Sequence, residues 1–130
     1  MRVGIDLVSV DAVREAIETH AERYLERVYT EREVADCSSP DGVDPQRLAG
    51  RFAAKEATLK VLRPLDVGLS LRAIEVCRSP GGWVELSLSG TAAELARESG
   101  LHEFSLSISH EPEYATAVVV GLPGLQESAA

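Results

Sequence analysis

The segment that most constrains the fold is 46–62, which has no proline, one glycine at position 50, strong helix formers after it, and Pro64 just beyond its end. This predicts a long helix, because proline cannot continue an α-helix and disfavours helical angles at the residue before it, here Arg63. At about 100° per residue, Leu48, Phe52 and Leu59 define its buried stripe, and Glu56 falls only about 40° from the centre of that stripe. A carboxylate so close to a core is costly unless a cation or a metal compensates it. Lys60, four residues on and in the favourable order along a helix, is one such partner, and a divalent metal is the other.

The rest of the chain supplies short elements around this helix. Val3, Ile5 and Leu7 alternate with Gly4 and Asp6, which predicts a first strand with Asp6 on the face opposite the aliphatic residues. Val10, Val13, Ile17, Tyr24, Leu25 and Val28 then recur at helical spacing, with Ser9 as N-cap and Asp11 at the positive end of the helix dipole. Thr30 and Glu33 form a capping-box pattern for a short second helix, and 38–45 reads as a surface loop rich in Ser, Pro and Asp. Alternating segments 71–78 and 83–89 flank Pro80-Gly81-Gly82 and predict a hairpin. A helix over 91–99 with a Thr91 cap follows, then strands over 104–109 and 114–120, and a tail at 126–130 that frays. The element order is βαα(α)ββαββ. It describes a single α+β domain over 1–125, with a small, mostly antiparallel sheet packed on a long helix.

Composition excludes several function classes. The longest apolar stretch, Tyr114 to Leu125, contains Thr116, Gly121, Pro123 and Gly124 and falls well short of the ~20 residues of a membrane helix. No secretory signal is visible, since Asp6 interrupts what would be its apolar part, and a cytoplasmic protein is expected. A net charge of −8 repels a polyphosphate backbone, so nucleic acid is not an expected partner and any phosphate site must be a local basic patch. Cys37 and Cys77 form no CxxC pair, and with histidines scattered at 20, 102 and 110 they offer no zinc site.

Three groups of residues can carry chemistry. Asp6 sits in an otherwise aliphatic strand, where it either faces solvent or converges with Glu56 on a hard divalent cation such as Mg²⁺. Arg51, Lys55 and Lys60 concentrate positive charge on one helix of an acidic chain. They serve either as solvated charge with stems packed on the core or as a phosphate site. His110 closes Ser107-Ile108-Ser109-His110 at the end of a strand, where a histidine is either solvated or held for binding.

Gly4-Ile5-Asp6, Arg51-Phe52-Ala53-Ala54-Lys55-Glu56-Ala57 with Lys60, and Ser107-Ile108-Ser109-His110 together resemble the holo-acyl-carrier-protein synthases, the small type of 4'-phosphopantetheinyl transferase. Order and spacing match over nearly the whole chain. The resemblance implies the 4'-phosphopantetheinyl transferase fold and a homotrimer with sites between subunits. It also implies Mg²⁺-dependent transfer of 4'-phosphopantetheine from coenzyme A to a serine of an apo acyl carrier protein, releasing adenosine 3',5'-bisphosphate. On that resemblance Asp6 and Glu56 are the metal ligands, and Glu56 acting through water is an alternative base to a metal-bound water. Lys60 meets the phosphates and assists the leaving group, Arg51 and His110 hold the nucleotide end of coenzyme A, and Lys55 contacts phosphate. A relative that binds coenzyme A or a nucleotide without transferring is the alternative.

Two features depart from the family pattern. Where relatives follow the second lysine with a Gly-Thr-Gly-like turn, this chain has Arg63-Pro64-Leu65-Asp66-Val67-Gly68, so a different donor pocket is expected. The first helix carries Asp11, Glu15, Glu18, Glu22 and Glu26 beside only Arg14, Arg23 and Arg27, which must then meet an acidic carrier. Phe104, Leu106, Ile108, Val118, Val119 and Val120 line either a core shared around a threefold axis or the core of one subunit.

Overall fold

The computed structural model describes residues 1–65 and 68–124; Asp66 and Val67 of the divergent segment, and the tail at 126–130, lie outside the described residues. The chain opens with strand β1 (Arg2–Ser9), helices α1 (Val10–His20), α2 (Glu22–Val28) and α3 (Glu31–Asp36), and two-residue strands β2 (Ser38–Ser39) and β3 (Gly42–Val43). The long helix α4 (Pro45–Leu62) follows, then a 3₁₀ turn (Leu71–Ala73), β4 (Ile74–Arg78), β5 (Val84–Leu88), α5 (Gly90–Glu98), β6 (Glu103–His110) and β7 (Tyr114–Leu122). It is an α+β domain whose antiparallel sheets pack on α4. Among the described residues no helix is long and apolar enough to cross a membrane.

Local chemistry sets most boundaries. Ser9 caps α1 by accepting from the Ala12 N–H, and the capping box of α3 is complete, with Thr30 and Glu33 each accepting from the other's backbone. Asp44 caps α4, Pro45 occupies its first turn, and the helix ends at Arg63, whose left-handed φ of 54° precedes Pro64. The expected first helix is two: Ala21, at φ 46°, breaks it into α1 and α2. The hairpin strand expected from 71 begins only at Ile74, because Leu71–Ala73 coils into a turn capped by Ser70. The cap of α5 is Ser89 and not Thr91, and Ser89 makes no side-chain capping bond.

The three-stranded sheet has the order β1-β7-β6, all antiparallel, with Asp6 opposite Ala117 and Ile108 opposite the same residue from the other side. The helix α4 crosses its inner face. Its buried surface is not the stripe of Leu48, Phe52 and Leu59: Leu48 is buried, but Phe52 and Leu59 are only half so, and Ala49, Ala53, Ala54, Ala57 and Val61 form the contact instead. Small residues win because α4 is packed on several sides, against the sheet, α1 and β4, and alanine lets neighbouring backbones approach. The tightest approach is at Gly4 on β1, where a Cβ would stand 2.1 Å from the Ala57 carbonyl oxygen. The glycine is required there by space and not by its backbone angles.

The first strand is inverted relative to simple expectation. Asp6 does lie opposite the aliphatic residues, but the face it shares with Gly4 and Val8 is the inner one. Val3, Ile5 and Leu7 point outward and are 66%, 60% and 66% exposed. Across the sheet they pair with Val120, Val118 and Thr116. Of the six residues suggested for a shared or single core, Val119 is fully buried and Phe104, Leu106 and Ile108 pack against the subunit core. Val118 and Val120 belong to the outer apolar face.

Candidate functional site

Contact between Gly4 and Ala57 brings the next inward residue of β1, Asp6, beside the last turns of α4. Lys60 Nζ donates to the Ile5 carbonyl oxygen at 2.7 Å and lies 3.3 Å from Asp6 Oδ1. Thr116 on β7 ties the same strand down, its hydroxyl donating to the Asp6 carbonyl oxygen at 2.8 Å. Glu56 is half-buried one turn before Lys60. Burial pushes its carboxyl above the usual carboxylate range, and the neighbouring Asp6 charge adds to the rise while Lys60 opposes it. Among the described residues Lys60 makes its ion pair with Asp6 and not along the helix with Glu56. Two carboxylates therefore stand at one edge of the sheet with the Lys60 ammonium between strand and helix.

Arg51 and His110 form a second cluster elsewhere. The imidazole Nδ1 of His110 lies 2.8 Å from Gln46 Nε2, which anchors the end of β6 to the first turns of α4. Arg51 is nearly buried, and its Nε is a buried donor without a partner. Beside them runs a groove lined by Trp83, Val84, Ser107, Arg51 and His110, continuing past Arg47 and Arg78. Three arginines and a histidine make it the local basic patch that an acidic chain needs for an anion. Gln46, Arg47, Arg78 and Trp83 escaped sequence reasoning because nothing local links the hairpin to the start of α4.

The two clusters are separate in one subunit. Arg51 and Glu56, five residues apart, point about 140° away from each other around α4. Asp6 is on β1 and His110 on β6, at opposite edges of the sheet with β7 between them. Two strand spacings amount to roughly 10 Å.

Comparison with known proteins now decides the family. The model of the 4'-phosphopantetheinyl transferase superfamily matches residues 2–119. The holo-acyl-carrier-protein synthase of Halothermothrix orenii is 40% identical over 122 residues, which span 94% of this chain and 97% of that protein. The chain belongs to the holo-acyl-carrier-protein synthases. The synthase of Gloeobacter violaceus is similar at 39% identity over 118 residues, 91% of this chain and 89% of that protein. Among solved structures, the Helicobacter pylori holo-acyl-carrier-protein synthase in complex with coenzyme A matches with a TM-score of 0.79 and 31% identity, over 93% of this chain and all of that one.

Within this synthase the structure sets one expected site residue apart from the others. Lys55, expected to contact phosphate, is fully buried and faces away from both clusters. Its Nζ lies 2.7 Å from Glu33 Oε1 and donates to the carbonyl oxygens of Leu71, at 2.9 Å, and Ile74. Glu33 in turn accepts from the Thr30 N–H at 2.8 Å and the Val76 N–H at 2.9 Å. The pair joins α3, α4 and β4, and burial holds the Lys55 ammonium below its ordinary range against the pull of Glu33. The capping-box pattern announced Glu33 locally, but its partner 22 positions away in sequence was beyond any local signal.

Of the arginines on the first two helices, Arg14 is paired with Asp11 in its own helix. Arg23 and Arg27 stand with His20, Glu26 and Arg72 along a groove between α2 and the 3₁₀ turn.

If Lys55 is structural, Lys55→Met leaves Glu33 buried and unpaired and lowers unfolding stability by about 3–5 kcal/mol, read in a urea melt. The Michaelis constant for coenzyme A of the folded fraction stays near that of the parent. A rise in that constant at full stability would restore Lys55 to the phosphate site.

Proposed function

We propose that Asp6, Glu56 and Lys60 form the reacting half of the site at which this synthase transfers 4'-phosphopantetheine from coenzyme A to a serine of an apo acyl carrier protein. The observation that carries the proposal is the convergence of Asp6 and Glu56 beside Lys60, enforced by the Gly4–Ala57 contact. Burial raises the Glu56 carboxyl and the Asp6 charge adds to the rise, and an oxygen-seeking divalent cation between the two acids would offset both. No cluster of three or more His, Cys, Asp or Glu able to hold a metal occurs among the described residues. Asp6 and Glu56 would hold Mg²⁺ as two protein ligands, and substrate phosphate and water would complete the shell. When bound, the ion neutralises the diphosphate of coenzyme A and the leaving bisphosphate.

The chain's own groups supply the remaining steps. The serine oxygen attacks the phosphorus that bears the pantetheine arm, and the bond from that phosphorus to the bridging oxygen breaks. Glu56 takes the serine proton through a water. Lys60, already half-exposed and held by only one carbonyl and one carboxylate, swings its ammonium to the departing phosphate, where charge accumulates. Arg51 and His110 hold the nucleotide end in the basic groove.

The apolar outer face of the sheet supports a homotrimer. Val3, Ile5, Leu7, Val118 and Val120 form a contiguous apolar patch on one side of a small subunit, and such patches mark association surfaces. Association there also answers the separation of the two clusters. A second subunit presenting its β6 edge to the β1 edge of the first brings His110 and Arg51 of one to Asp6, Glu56 and Lys60 of the other. The carrier docks on the groove of Arg23, Arg27 and Arg72, where the three cations outnumber Glu26 and, among the described residues, none of the three is in an ion pair.

Three measurements test these assignments. Asp6→Asn and Glu56→Gln should each cut carrier modification by about 10²–10⁴-fold, followed as the mass gain of the apo carrier, while the far-ultraviolet dichroism stays native. Full activity in either would sink the site. Light scattering should give about three times the mass of one chain, and Ile5→Glu should give monomers without transfer; a monomeric parent would rule out shared sites. Charge reversal of Arg23 and Arg27 to Glu should raise the Michaelis constant for the carrier and leave that for coenzyme A unchanged, whereas an unchanged carrier constant would place docking elsewhere.

A further inference from the structure

The subunit holds two apolar cores, one under the three-stranded sheet and one beside α5, and they meet at Leu86 and Phe104, which pack against both. At that seam the two sheets do not join. β5 and β6 run close together, yet no ladder of backbone hydrogen bonds links them, and each strand belongs to its own sheet. Where they part, an open cleft of about 310 Å³ lies between Leu86 and Leu88 on β5, Phe104 on β6, and Ala93 and Ala96 on α5. The space exists because α5 presents alanines there, and its size is at the lower end of the range for small-ligand sites. Leu86, Leu88 and Phe104 are left half-buried along it.

The rim has the opposite chemistry. Arg97, one turn beyond Ala93 on the same face of α5, and His102, just before β6, stand at the mouth, and no carboxylate lines the cleft. Among the described residues Arg97 is in no ion pair, in a chain whose net charge is −8. An apolar floor with a free guanidinium at one end is complementary to a ligand that has an apolar body and a single anionic head. A cationic amphiphile would meet Arg97 with like charge, and a sugar or nucleotide has too little apolar surface to cover the floor. We propose that this cleft binds a medium-chain fatty acid, with its chain along Leu86, Leu88 and Phe104, its carboxylate on Arg97 and the His102 imidazole as a second donor. The site is separate from the groove of Arg51 and His110, with which it shares no lining residue. β6 carries Phe104 near one end and His110 at the other, about 20 Å apart along the strand.

Titration calorimetry of the folded synthase with decanoate, kept below micelle formation, tests this. Affinity should rise from hexanoate to decanoate by up to about fourfold per added methylene, the gain expected when each is buried. Decanol, which has the chain without the charge, should bind about tenfold more weakly than decanoate, and decyltrimethylammonium should not bind. Arg97→Glu should weaken decanoate about tenfold or more, and Ala93→Leu, which fills the cleft, should abolish its binding. Both variants should keep the thermal midpoint of the parent and its rate of carrier modification. Absence of decanoate binding to the parent would overturn the proposal. So would equal binding of decanol and decanoate, or an unchanged decanoate affinity in both variants, since either means partition onto any apolar surface. Displacement of decanoate by coenzyme A would move the anion to the donor site and overturn the proposal as well, while leaving the assignments of Asp6, Glu56 and Lys60 untouched.

Discussion

Everything in the candidate site depends on how closely β1 approaches α4. At Gly4 a single methyl group would collide with the Ala57 carbonyl. Two positions along the strand from this contact, Asp6 reaches Lys60, and its charge is felt by Glu56. Had the interface been built from leucines, the strand would stand several ångströms further out, and no carboxylate on it would meet one on the helix. The alanines of α4 are thus part of the chemistry although none carries a functional group. Gly121 and Gly50 repeat the device, one beneath Val61 and the other beneath Ile108, so the whole sheet lies low on the helix.

The two lysines of α4 show how position decides the fate of like residues. Lys55 points into the seam between α3, β4 and the 3₁₀ turn and must satisfy its charge internally, through Glu33 and two carbonyls. Such a pair is costly to bury and more costly to break, so it fixes the arrangement of three elements without being available to a ligand. Lys60 lies five residues on, at the rim, 3.3 Å from Asp6 and half-exposed. An exposed pair of this kind contributes little to stability and exchanges partners readily, as the role proposed for Lys60 requires.

The basic groove and the carboxylate pair stand at opposite edges of one small sheet, and the association proposed above would bring them together. The outer face of that sheet carries Val3, Ile5 and Leu7 beside Val118 and Val120, residues that a solitary subunit leaves in water. The proposed association would cover them.

Much of the fold was legible locally. The end of α4 before Pro64, the capping box at Thr30 and Glu33, the hairpin around Pro80-Gly81-Gly82 and the final strand pair all follow from capping, proline chemistry and alternation, which act over a few residues, whereas the start of α4 at Asp44 and Pro45 reads in sequence as loop. The residue types at Asp6, Glu56, Lys60, Arg51 and His110 were legible as a pattern. Their sorting was not. Period two placed Asp6 opposite Val3, Ile5 and Leu7 but could not say which face was inside, because alternation reports that two faces differ and not what covers either. Lys55, Glu56 and Lys60 look equally polar in sequence, yet burial separates them, and burial is a property of what packs against each side of α4. Sequence alone determined the elements and the inventory of reactive groups, since both arise from short-range physics. Only the tertiary structure decided which charges meet each other and which remain free for a substrate, since that depends on contacts between segments far apart in the chain.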